Sequence, residues 1–150
     1  MMKNLEEARQ LIDAITSAEL YEGDFGHPIS DRAAILMGVD EAEQNNVPSD
    51  YLEFLAELGT GDLDAAFYVD PAPAKYSSIV GKEVEEYKGM YVVAGNQSGV
   101  LYAFDCENDW SVVEISSEND GFACVSVSFS EFILAKLKYI KELVDWRAAH

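Results

Sequence analysis

The chain has 150 residues, 28 acidic and 10 basic side chains, and a formal net charge of −18. That length suits one domain, and 49% hydrophobic residues exclude a disordered acidic tail, so the core needs neither disulfides nor metal. A field this negative repels nucleic acid and anionic membranes; it serves either solubility or encounter with basic partners.

Residues 4–22 follow helical spacing, with Leu5, Ala8, Leu11, Ile12, Ile15 and Glu19 recurring every three or four positions. Gly23, Gly26 and Pro28 break the segment. Residues 30–37 are open between a short helix and a strand, and 40–46 is a polar helix closed by Asn45-Asn46. Residues 47–59 carry both ends of a helix. Pro48 fits the first turn, Asp50 complements the positive end of the dipole, and Gly59 supplies a left-handed stop. Tyr51, Leu52, Phe54, Leu55 and Leu58 form its apolar face, and Gly61 follows in a loop.

The period then changes to alternation. Residues 65–69 are a strand closed by Pro71 and Pro73, and 74–89 are an irregular or partly helical insertion. Four short strands follow at 90–94, 100–105, 110–115 and 122–127, with turns at 95–99, 106–109 and 118–121. Links this short join antiparallel neighbours, because a parallel pair needs a long crossover. A closing helix spans 129–147, with Ser128 and Glu131 at capping-box spacing and Lys136, Lys138 and Lys141 late in it. The expected architecture is α+β: a single domain whose antiparallel-dominated sheet is flanked by helices.

Three stretches together resemble the SUKH superfamily, which includes yeast cell-wall synthesis regulators and bacterial toxin-immunity proteins. Val47-Pro48-Ser49-Asp50-Tyr51-Leu52-Glu53-Phe54-Leu55 with Gly59 is similar to its Leu-Pro-x-Asp-Tyr-x-x-Phe-Leu signature. Gly95 through Asp105 resembles its Gly-x-x-Gly-x-x-Tyr-x-x-Asp hairpin, and Phe129 and Phe132 its closing helix start. The match covers roughly residues 40–140; Val47 stands where Leu is usual, and residues 71–89 do not align. The resemblance implies a SUKH-like fold and occlusion of a toxin without a shared catalytic centre. Pro48, Tyr51, Phe54, Leu55, Gly59, Gly95, Phe129 and Phe132 then read as helix stop, turn and core positions.

The residues offer little chemistry of their own. The histidines are His27, in a Gly-Pro loop, and His150. Cys106 and Cys124 have no neighbour at metal-ligand spacing and form no disulfide framework; both read as reduced core or rim thiols. Residues 105–109 alternate oxygen ligands as calcium loops do, but Trp110 and Ser116 occupy the positions that need glycine and a bidentate acid. No catalytic residue, cofactor or metal is expected.

The expected partner is a protein, a basic toxin domain such as a nuclease, met by charge complementarity. The acidic patches available are Asp40, Glu41 and Glu43; Asp62, Asp64 and Asp70; and Glu83, Glu85 and Glu86. Tyr68, Tyr76 and Tyr87 lie near the last two and are the candidate anchors, with ordinary packing as the alternative. With no basic-then-apolar leader and no long apolar run, the cytoplasm is the expected compartment. Oligomeric state is open. A scaffold with a non-toxic partner, and a carboxylate-based metal hydrolase, are the competing functions.

Overall fold

The computed structural model describes residues 4–19, 21–82, 84–116 and 121–149. The helices are α1 (Leu5–Thr16), α2 (Arg32–Ile35), α3 (Ser49–Glu57), α4 (Tyr76–Val80) and α5 (Phe129–Ala149). The strands are β1 (Asp24–Phe25), β2 (Gly61–Asp64), β3 (Phe67–Lys75), β4 (Met90–Gly95), β5 (Leu101–Asp105), β6 (Ser111–Ile115) and β7 (Phe122–Ser126). All seven strands lie in one sheet in chain order, every neighbouring pair antiparallel. The domain is α+β, as its pattern predicts.

Helices α1, α3 and α5 bury one face of the sheet. Their stripes meet Leu63, Phe67, Val69, Tyr91, Phe104 and Val112 in one cluster that also holds Tyr51, Phe54, Phe129 and Phe132. A smaller cluster lies on the opposite face, where Met90, Val92, Ala103, Val113 and Ile115 pack under Tyr76 and Tyr87. The insertion at 76–87 thus has a structural use: it covers the second face of the central strands.

Several boundaries differ from expectation. α1 stops at Thr16, not near residue 22, because Ile15 is its last buried residue and Glu19 is exposed. Residues 32–38 resolve into α2, capped by Asp31, and a turn of 3-10 helix; residues 41–46 are 3-10 rather than α. Pro48 stands just before α3, where its carbonyl accepts from the Leu52 N–H. Gly61 opens β2 instead of lying in a loop. β3 continues through Pro71 and Pro73 to Lys75, with a register shift between Val69 and Ala74. The prolines occupy that irregularity, where no ladder N–H is required. The turn expected at 118–121 lies largely outside the described residues.

The capping box at α5 is half made. Ser128 Oγ accepts from the Glu131 N–H, but the Ser128 N–H turns to Ser126 Oγ. A distant residue satisfies a further donor of the same turn: Asp50 Oδ2 accepts from both the N–H and the hydroxyl of Ser130.

Candidate functional site

The motif positions are structural. Tyr51, Phe54, Leu55, Phe129 and Phe132 are buried. Tyr51 stands edge-on to Phe104 and to Phe129 with ring centroids 5.2 Å apart in each case, and Phe54 meets Phe129 at 5.4 Å. Gly59 has φ +103°, and a Cβ there would strike the His27 backbone at 2.7 Å. It is therefore both the stop of α3 and the point where the backbone of residues 26–27, just past β1, passes. Gly95 lies under Tyr68, whose hydroxyl a Cβ would meet at 2.5 Å. Asp105 caps the β5–β6 turn by accepting from the Glu107 N–H.

The nine candidate partner-binding residues divide into separate groups. Asp62 and Tyr68 are register partners across β2 and β3, and Asp70 follows on β3. Tyr68 lies between Phe67 and Val69, which join the helix-side core, so it belongs to the opposite face; Asp70 opens the irregular stretch of β3, and its charge also raises the Tyr51 phenol of the helix-side core, after burial. Burial first, then the charge of Asp62, raises the Asp70 carboxyl to about 6. Burial, then Asp70 and Asp62, also raises the Tyr68 phenol. Tyr68 and Asp70 are half-buried, and the exposed Asp62 carboxylate acts on both.

Asp64 does not join them. Its carboxylate takes both guanidinium nitrogens of Arg147 and the Ala66 N–H, tying the end of α5 to β2. The Arg147 hydrogen bond holds its carboxyl below the usual range. Tyr76 and Tyr87 are engaged with each other, ring centroids 4.2 Å apart, and Tyr87 also meets Phe122 at 6.2 Å. Glu85 and Glu86 are exposed on a 3-10 turn beside them, and Glu83 lies outside the described residues. Of the other patch, Asp40 pairs with Lys75, while Glu41 is exposed and Glu43 half-buried.

Sequence reasoning missed a second polar cluster. Lys136 Nζ donates to the Tyr102 hydroxyl at 2.7 Å, and that hydroxyl donates to Glu114 Oε2 at 3.2 Å. Burial lowers the Lys136 pKa despite Glu114. The cluster lines a groove of about 550 Å³ between α5 and β7, with Val125, Val127, Phe132 and Tyr139. Its one sequence signal was a lysine four residues after Phe132, inside an apolar stripe.

His27 Nε2 lies 2.8 Å from Asp24 Oδ1 at the surface. Cys106 is half-buried in the β5–β6 turn, Cys124 exposed on β7, and both thiols are free. Among the described residues no group of three His, Cys, Asp or Glu side chains is arranged to hold a metal, and no helix is long and apolar enough to cross a membrane. No protein-family model matches the chain, and no curated protein matches it.

Proposed function

We propose that this is a non-enzymatic, cytoplasmic binding protein of SUKH-like type, an immunity protein that covers the basic surface of a toxin, such as its nucleic-acid-binding face. One observation carries the reading. Asp62 is the register partner of Tyr68, and Asp70, two residues on along β3, is half-buried within reach of the Asp62 charge. That arrangement costs the free protein stability, and an incoming lysine or arginine relieves the cost. The three-part motif resemblance supports the same class. The long-range charge of −18 speeds encounter, while Tyr68 offers an amphipathic anchor at the point of contact.

The test uses the toxin domain encoded beside this chain's gene. Expected results are loss of toxin activity at equimolar protein, association slowing about tenfold or more as salt rises, and a comparable loss in D62K/D70K. A toxin that keeps full activity overturns the immunity reading. Salt-sensitive binding of a non-toxic partner through the same aspartates instead assigns the domain to regulation.

A further inference from the structure

The end of α1, β2 and the end of α5 do not close fully on one another. Between them lies a cavity of about 490 Å³ whose apolar floor is Ile15, Leu63 and Val144. Its charged lining is one-sided: Glu19, Glu22, Asp62 and Asp64 stand against the single cation Arg147. Arg147 grips the Asp64 carboxylate with both guanidinium nitrogens, so that pair adds no net charge. Glu19, Glu22 and Asp62 are exposed, and among the described residues none of them has a basic side chain at ion-pair distance. The negative potential reaches the cavity wall at Tyr21. Burial raises its phenol, and the charges of Asp24, Asp62 and Asp64 raise it further, against a backbone hydrogen bond that lowers it.

We infer that this cavity takes one long basic side chain, arginine or lysine, of the protein's partner. The inference rests on the binding function proposed above and names the anchor that the partner supplies. Such a side chain matches the cavity at both ends. Its carbon stem covers apolar surface while its charged head stays among carboxylates and water. Other occupants match at one end only. A wholly apolar side chain strips water from the carboxylates and gives nothing back. An acidic one is repelled, and a second copy of the chain brings the same charge of −18. Asp62 lines the cavity and is also the register partner of Tyr68, so the cavity continues the proposed contact. Long-range charge sets the rate of encounter, and a side chain seated in a pocket is what slows release.

Two experiments test this, and only the second needs the toxin. First, the full chain is titrated with n-butylguanidinium and followed by amide NMR shifts, with n-butylurea as the neutral isostere. Saturable shifts are expected at Ala18, Leu63 and Val144, with the urea binding about fivefold or more weakly. E19Q/E22Q, at exposed positions, should weaken the guanidinium severalfold and leave the urea unchanged. A148W, which sets an indole across the cavity from an exposed position of α5, should abolish binding of both. Second, A148W should weaken toxin binding about tenfold or more, with its salt dependence unchanged, while A148S binds as the wild type does. A65W, at another exposed lining position, serves should A148W not fold. Equal binding of guanidinium and urea, or no shift at these residues, overturns the inference. So does full toxin affinity in the folded tryptophan variant. The immunity reading fails by a different result, a toxin left active by the wild-type chain.

Discussion

Asp50 and Ser130 are 80 residues apart and joined by two hydrogen bonds: Asp50 Oδ2 accepts from the Ser130 N–H at 2.9 Å and from its hydroxyl at 2.7 Å. The other carboxylate oxygen accepts from the Tyr51 N–H at 2.9 Å. One aspartate in the first turn of α3 therefore also satisfies a free donor at the start of α5, holding two helices over the same aromatic cluster.

Replacing it tests that link. D50A should cost about 2 kcal/mol in urea unfolding, and S130A about 1 kcal/mol, since the Ser130 N–H keeps its acceptor. The double variant should cost less than the sum, because both changes remove one shared bond.

Asp70 makes stability fall as pH rises. Its folded pKa of about 6 lies above the ordinary 3.8, so the folded state keeps a proton that the unfolded chain has released. The favourable contribution is complete below about pH 4 and is lost as pH climbs through about 6. D70N should therefore match the wild type near pH 4 and exceed it at pH 7.5. The gain should be about 1 kcal/mol, after allowing for solvent reaching a half-buried group. Melting curves across pH read this directly.

Asp64 acts with the opposite sign. Arg147 lowers its pKa, so its contribution is present above the ordinary carboxylate range and is lost as pH falls through the depressed value. R147A should destabilise the protein by about 1 kcal/mol at pH 7, and the difference should shrink on acidification. Denaturant midpoints at neutral and acid pH check it.

The Tyr51 hydroxyl is fully buried and makes no hydrogen bond with any described residue. Y51F should be neutral or stabilising by up to about 1 kcal/mol, because it removes an unpaired polar atom and keeps the ring. Y51A should cost about 3–5 kcal/mol by opening a cavity between Phe104 and Phe129. Equal losses in the two variants would show that the hydroxyl has a partner.

Much of the architecture was legible in local pattern. Pro48 and Gly59 bracket α3 within a residue or two, and Ser128 marks the start of α5. The tight turns after β4 and β5 require antiparallel neighbours, which the ladders show. The prolines of β3 misled because their tolerance depends on a shift against β4. In the acidic site, composition marked Asp62, Asp64 and Asp70 alike, but Arg147, 83 residues beyond Asp64, sets that one apart.

By itself the sequence determined the helix stripes, the turn positions, the antiparallel second half and the strongly negative field. These rest on residues within a few positions of each other and on total charge. Tertiary structure alone decided that β7 lies at the rim, that Asp70 is half-buried within reach of the Asp62 charge, and that Asp50 reaches Ser130. Strand order, burial and hydrogen bonding between distant residues are through-space relations, created only when the chain closes on its core.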